Sequence, residues 1–452
     1  HGRLRHPEGL GRAGDVLVVS QRVEQRKMRQ QLGQAITTHA GTLSLHAYGY
    51  WICMRQMPTV ERVTTVGIPP LTASPRRLGA AMWTTGIATF GVLYAPQGLL
   101  TGIAETYRLT AADASWVVSA ATLGLALSIL PWALVADRFG RRRMLRVAAV
   151  AAAVIAVASP LLPGFAGLLV GRFLLGAALG GIPALAVAYL HEAAGPQRAG
   201  VAAGAYVAAT SVGGLAGRLV AAPVGEVVGW RLSLELLGIL AAALTVLFAV
   251  LLPPTEEHRP VPLGRSLRVL ARQAVNPRAL PLYAIGAMVV GAMVAVFNAL
   301  GFRLEAAPYF LSATAVSLVF LTYLSGTVTS RLSSALVQRF GTRMPLVAAG
   351  AAMVVGAVIT LASPVVVIVL GVLLITAGMF LAHATANAAT ARAGGSGRQH
   401  AVALYSVAYY IGSSVLGTIG AAAWTAGGWA ALAGLVAVLG VLVVAASVKV
   451  RD

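Results

Sequence analysis

The sequence predicts an all-α membrane protein whose twelve transmembrane helices form two pseudo-symmetric six-helix bundles. Three observations predict it. Hydrophobic residues make up 58% of the 452 and charged residues 11%, with a mean hydropathy of +0.80. A water-facing domain carries roughly 25% charged residues, so lipid must be the solvent for most of this chain. From Arg77 onward, apolar runs succeed one another with short breaks, each of the ~20 residues that a helix needs to cross the hydrocarbon of a bilayer. Finally, the basic loop Asp137-Arg138-Phe139-Gly140-Arg141-Arg142 returns half a chain later as Gln338-Arg339-Phe340-Gly341-Thr342-Arg343. That repeat sets Asp137 on Gln338, Gly140 on Gly341 and Arg142 on Arg343.

Residues 1–76 differ from the rest of the chain. They are polar and mildly basic, with Arg22, Arg26, Lys27 and Arg29 close together, and they hold no run of crossing length. The expectation is a disordered tail on the cytoplasmic side, or residues upstream of a start at Met54 or Met57. No secretory signal is legible there, because no apolar core comes after the early arginines. Crossings are expected near 79–102, 114–136, 144–162, 164–190, 199–222 and 231–252, then near 279–300, 311–337, 344–362, 365–390, 400–423 and 428–448. The polar break at 253–278, with Pro253, Pro254, Glu256, Glu257, Pro260 and Pro262, reads as a cytoplasmic linker between an N-terminal bundle, 77–252, and a C-terminal bundle, 279–452. An even number of crossings per half leaves the two copies in the same orientation. Gly229-Trp230 and Gly428-Trp429 form another pair at the repeat spacing, as do Gly217 and Gly417.

The net charge of +20 is distributed as loop arginines, which argues for topology and against nucleic acid. Arg138, Arg141, Arg142, Arg143 and Arg146 fall in the second loop, Arg198 in the fourth, Arg259, Arg265, Arg268, Arg272 and Arg278 in the sixth. Arg339, Arg343, Arg392, Arg398, Lys449 and Arg451 continue the series on the same side. The other side carries Arg108, Arg231 and Arg303, each near an acid in sequence (Glu105, Glu226 and Glu305). Both termini and the even-numbered loops are therefore expected in the cytoplasm.

Ionisable residues inside the crossings are costly and mark candidate sites. Arg172 lies within the fourth helix, facing a cavity or bonded to helix-end carbonyls. Arg218, in the fifth, has a candidate partner in Glu235 across the fifth and sixth helices. Glu235 is also the most embedded acid and the candidate protonatable group. Gly204, Gly213 and Gly217 of the fifth helix suit close packing and a gate seal. Gln97, Asn298, Tyr323, His383, Asn387, Tyr405 and Tyr409 are candidate cavity groups, each with the alternative of an interhelical hydrogen bond. Arg331 is a further cation that either lies buried or snorkels out.

These stretches resemble the major facilitator superfamily. Its loop motif is matched by Ala133-x-x-x-Asp137-Arg138-x-Gly140-Arg141-Arg142, with alanine in place of the first glycine. Arg172-x-x-x-Gly176-x-x-x-Gly180 is similar to its membrane-embedded arginine motif. Gly204-x8-Gly213-x3-Gly217-Arg218-x2-Ala221-Ala222 is similar to its antiporter motif, with Arg218 where that motif has proline. Val296-Phe297-Asn298, Ala382-His383 and Tyr409-Tyr410 resemble bacterial exporters of the acriflavine-sensitivity, drug:proton antiporter type. The resemblance implies two bundles rocking about a site near the midplane. The loop around Asp137, Arg138, Gly140, Arg141 and Arg142 then acts as a cytoplasmic latch whose partner in the outward-facing state is the start of the eleventh helix, near 399–401. The copy at Gln338, Arg339, Gly341 and Arg343 lacks the acid, so the two latches should be unequal.

The expected function is secondary active transport in a bacterial inner membrane: proton-coupled efflux of small amphipathic or cationic compounds by a chain acting as a monomer, with proton coupling implied by the resemblance. The alternative is transport of an organic anion or metabolite held by Arg172 and Arg218, and a remote one is a polytopic sensor. An enzyme, a cofactor and a metal site are not expected. The histidines show no H-E-x-x-H spacing, Gly394-Gly395-Ser396-Gly397 lacks a P-loop lysine, and Cys53 is the one cysteine.

Overall fold

Prolines and glycines decide where each apolar helix stops. The computed structural model describes residues 75–194, 196–254 and 263–450, and every regular element among them is helical. The expectation for the 1–76 tail lies outside the described residues, save Pro75 and Arg76, which already open the first helix. The crossings are α1 Arg76–Gly98, α2 Ala111–Phe139, α3 Arg141–Leu161, α4 Gly164–Leu190, α5 Pro196–Val228, α6 Trp230–Leu251, α7 Leu280–Leu304, α8 Ala313–Phe340, α9 Arg343–Ile359 and α10 Val365–Ala393. One stretch, Arg398–Ser447, is broken at Gly427 and Gly428, giving α11 (398–426) and α12 (429–447). Twelve crossings in two bundles of six result. Their outward apolar surface confirms lipid as the solvent: Val154, Val246 and Val366 are 63%, 65% and 71% exposed.

Two departures from the expected boundaries have local causes. Helix α1 is expected as one run to 102, but Pro96 lacks an N–H and tightens the chain into a 3₁₀ turn, Ala95–Gly98. A further helix, Leu100–Tyr107, then carries the chain out. The 253–278 break, expected as polar linker only, holds a helix, Leu263–Ala274, whose Ser266 side faces the bundles. Gly140 (φ 90°) and Gly341 (φ 74°) occupy the same left-handed turn in the two repeats, a conformation in which a Cβ is strained. Trp230 and Trp429, the other repeated pair, each donate their indole N–H to a threonine, Thr106 and Thr360.

The arginines do more than face headgroups. Arg77 donates to the Val250 and Leu251 carbonyls (2.8 and 3.0 Å). Arg142 reaches Leu252 (3.2 Å) and Arg146 reaches Ala249 (2.7 Å). Three cations thus satisfy the orphan carbonyls at the C-terminus of α6, where the helix dipole is negative. At the opposite end Arg231 bonds the Pro160 carbonyl after α3, and Arg303 bonds Thr360 and Ala362 after α9. These outer arginines serve carbonyls, not the acids beside them in sequence. Arg331 is exposed.

Within the first bundle α1 packs on α5, and within the second α7 packs on α11. Between bundles, α1 meets α7, α2 meets α11, and α5 meets α8. The α5 contact is with residues 313–323 of α8; residues 324–340 turn instead onto α9 and α10.

Candidate substrate site at the interface of the two bundles

The centre of the interface is built by the break in α1. Gln97 sits in the turn that Pro96 creates, and Asn298 holds the matching place in α7. The two are 201 residues apart, the repeat spacing, and Gln97 Nε2 donates to Asn298 Oδ1 at 2.7 Å. Repeat-equivalent residues can touch only near the pseudo-twofold axis, so this pair marks it.

Arg218 is anchored to that pair. Its Nε donates to Gln97 Oε1 (2.7 Å), one Nη to the Gly214 carbonyl (2.6 Å) and the other to the Tyr323 hydroxyl of α8 (3.0 Å). The guanidinium lies 4.4 Å from the Tyr94 ring centroid, 4.6 Å from Tyr323 and 5.3 Å from Phe320. It is 1% exposed. Among the described residues the two ion pairs both use Arg141, so Arg218 has no carboxylate partner. A buried cation costs several kcal/mol in lost hydration, offset here by three charge-assisted hydrogen bonds and three ring faces. Thr418, the counterpart of Arg218 in the second repeat, makes the neutral version of the same contact. Its hydroxyl bonds the Ser414 carbonyl one turn back and Ser119 Oγ of α2, while Ser414 Oγ bonds the Ser119 carbonyl. The α5–α8 seam therefore carries a charge in an aromatic cage, and the α2–α11 seam carries hydroxyls alone.

Other expected cavity groups gather on the second bundle. Tyr405 hydroxyl lies 3.0 Å from His383 Nδ1, and Tyr409 packs edge-on to His383 at 5.0 Å and on Tyr410 at 4.2 Å. Tyr405 is seated on Gly286 of α7, where any Cβ would overlap its ring. Asn387 is half-buried and joins neither cluster by a hydrogen bond among the described residues.

Several expected placements are corrected. Arg218 points at Gln97, Gly214 and Tyr323, not at Glu235. Glu235 is half-buried on α6, which packs on α1, α3 and α5 and lies away from the second bundle. Arg172 takes its carbonyl alternative: Nε bonds Val117 (3.0 Å), one Nη bonds Val92 (2.9 Å) and the other bonds Leu93. Pro96 cannot donate to the Val92 carbonyl, so Arg172 stands in for the missing N–H. Gly213 and Gly217 press α5 onto α1 at Ile87 and Gly91, within one bundle, whereas a Cβ added at Gly204 would meet open space. Asp137 is engaged by Arg141 (3.6 Å) and by Ser266 of the linker helix (3.3 Å), and Arg141 also pairs with Glu192. In the second copy Gln338 and Arg343 are exposed and Arg339 lies over Phe340. Asp137→Asn is expected to slow transport about two- to fivefold, the worth of a partly exposed pair, with membrane insertion unchanged; uptake and membrane yield measured side by side check this.

Sequence reading missed three participants. Tyr94 and Phe320 pass as core aromatics, although Tyr94 lies one turn before Gln97. Glu226 reads as a loop acid, yet its carboxylate accepts the Thr314 backbone N–H at 3.1 Å and the Thr314 hydroxyl, tying the end of α5 to the start of α8. Above it a cavity of about 920 Å³ is lined by Thr101, Glu105, Glu226, Trp230 and Glu305, among others. Burial pushes the Glu305 carboxyl above the ordinary carboxylate range, against a lowering hydrogen bond from Thr101. Among the described residues, side-chain bonds at Gln97, Arg218, Ser119 and Glu226 join the bundles in the half of the molecule away from the arginine loops.

Two like-oriented six-helix bundles packed about a pseudo-twofold axis are the architecture of one large class of secondary transporters. The family model of the Major Facilitator Superfamily matches residues 82–393, and the chain belongs to that family of multi-pass membrane transporters of small molecules. It is 31% identical over 363 residues to the MFS-type transporter YybF of Bacillus subtilis, covering 80% of this chain and 90% of that one. It is 32% identical over 377 residues to the inner membrane transport protein YnfM of Escherichia coli, covering 83% and 90%. Its fold is similar to that of a bacterial homolog of the human lysosomal transporter Spinster, solved inward-facing and occupied, with a TM-score of 0.63 at 15% identity over 84% of this chain and 95% of that one.

Proposed function

We propose that this transporter moves small organic compounds bearing a negative group, with Arg218 as the residue that holds that group. The observation that carries the proposal is a fully buried guanidinium at the bundle interface with no carboxylate beside it among the described residues. Two of its five N–H groups make no hydrogen bond among those residues, and both bundles contact it. A ligand anion there neutralises a charge that the protein leaves uncompensated, and its bond to a dry guanidinium is a strong one. Cationic substrates lose support for the same reason. Of the two arginines that the sequence offers to an anion, Arg218 is the one bonded by both bundles, whereas Arg172 bonds carbonyls of α1 and α2 within the first bundle.

The remaining features fit alternating access. With the arginine loops in the cytoplasm, as their charge favours, the bonds at Gln97, Ser119 and Glu226 close the outer side. The turning of residues 324–340 of α8 away from α5, onto α9 and α10, supports an inward-facing arrangement. Proton-driven export is carried over from the family resemblance, without Glu235 as its carrier: Glu235→Gln is expected to leave the dependence of flux on a pH gradient within about twofold of the parent. A flat gradient response in that variant returns Glu235 to the mechanism. The reading as a whole is tested by flux in proteoliposomes with a panel of labelled organic anions and cations matched for size. Uptake of cations with none of anions rejects it.

A further inference from the structure

We infer that the substrate is an aromatic carboxylate, its ring held by stacking against a series of aromatic side chains that runs from Arg218 toward the arginine-loop end. This rests on the proposal that Arg218 binds an anion, and adds the chemistry of what the anion is attached to. The series is formed by rings from four different helices: Phe90 and Tyr94 of α1, Tyr323 of α8, Phe380 of α10 and Tyr409 of α11. Tyr94 and Tyr323 are the rings nearest the guanidinium. Phe90 lies 6.4 Å from Tyr94, and Phe380 meets Tyr323 edge-on at 5.5 Å. Phe90, Tyr323, Phe380 and Tyr409 are each half-buried, and Tyr94 and Tyr323 come from different bundles to flank the same guanidinium.

The rings are held rather than loosely placed. Phe380 lies against Gly326 of α8, where an added Cβ would come within 2.5–2.7 Å of its ring atoms. Tyr409 is fixed between His383 and Tyr410. Aliphatic side chains would give an alkyl substrate as much contact without the orientational demand of flat faces. Ring faces and edges carry opposite partial charge, so a series of fixed rings prefers an aromatic guest in offset or edge contact. A carboxylate at one end then falls beside the two unused N–H groups of Arg218.

The test uses the full-length protein in detergent and two probes of equal charge and nearly equal size, phenylacetate and cyclohexylacetate, with dissociation constants measured calorimetrically. Phenylacetate is expected to bind about tenfold more tightly, the yield of one or two well-placed ring contacts. Tyr409→Leu and, as a second variant on another helix, Phe380→Leu should each bring the ratio of the two constants toward one, and Arg218→Met should weaken both probes together. Equal binding of the two probes, both sensitive to Arg218→Met, overturns the aromatic assignment and leaves the anion site standing. A preference for phenylacetate that survives both ring variants also overturns it. Binding of neither probe, or binding indifferent to Arg218→Met, rejects the anion site itself and this inference with it.

Discussion

Arg218→Met is expected to lower transport of an anionic substrate about a hundredfold while leaving the protein folded and in the membrane. The magnitude comes from the interaction removed. A hydrogen-bonded charge pair in a water-poor site is worth about 3 kcal/mol, and every 1.4 kcal/mol is a factor of about ten. Folding should survive, because the methionine fills the same aromatic cage and its sulfur sits well beside rings. Gln97 stays bonded to Asn298 through Nε2 and Gly214 lies inside a helix, so only Gln97 Oε1 and the Tyr323 hydroxyl lose their donor. Arg218→Lys is the informative companion. It retains the charge but cannot reach Gln97, Gly214 and Tyr323 at once, since the planar fork is lost. Intermediate activity, about tenfold down, is expected. Uptake assays on protein of matched monodispersity check both, and a methionine variant with near-parental uptake of anions would falsify the assignment of Arg218.

Arg172→Met is expected to do the reverse: to destabilise the fold with little change in which substrates bind. Arg172 joins α4 to α1 and α2 through three carbonyls, and one of these, Val92, has been deprived of its helical donor by Pro96. In hydrocarbon an unpaired carbonyl finds no water. Hydrogen bonds between membrane helices average ~0.6 kcal/mol and reach ~1.7, so three of them with a charged donor, plus the orphaned carbonyl, come to about 2–5 kcal/mol. Unfolding titrations in mixed micelles should show that loss. Relative uptake across a substrate panel by the surviving folded fraction should match the parent, and a changed substrate order would move Arg172 into the binding site. Gly176, one turn on in the same helix, makes the neighbourhood unforgiving: a Cβ there would overlap the Ala121 carbonyl of α2.

The comparison of Arg172 with Arg218 shows what was legible. Both are arginines well inside an apolar run, and the sequence marks both as costly. Nothing in the letters separates them, because the distinction lies in what faces each one. Arg172 faces the end of a broken helix in its own bundle; Arg218 faces the other bundle. The Glu235 pairing failed for a related reason. Charge complementarity suggested it, but α6 packs on the outside of its bundle and Glu235 is carried away from the centre. The fifth-helix glycines divide the same way, Gly213 and Gly217 packing on α1 while a Cβ at Gly204 would meet open space.

Local and periodic features were readable: crossing lengths from apolar runs, and the duplication from Asp137 with Gln338 and Trp230 with Trp429. Each depends on short stretches and on lipid as a one-dimensional constraint, which a sequence records directly. The Gln97–Asn298 axis, the cage of Tyr94, Phe320 and Tyr323, the substitution of Arg172 for a missing N–H and the Glu226 tie between bundles required coordinates. They join residues on different helices, and hydrophobicity sets where a helix crosses but not which of its faces turns toward which neighbour. That choice is made by close packing of small residues against backbone, and it exists only once the helices are assembled.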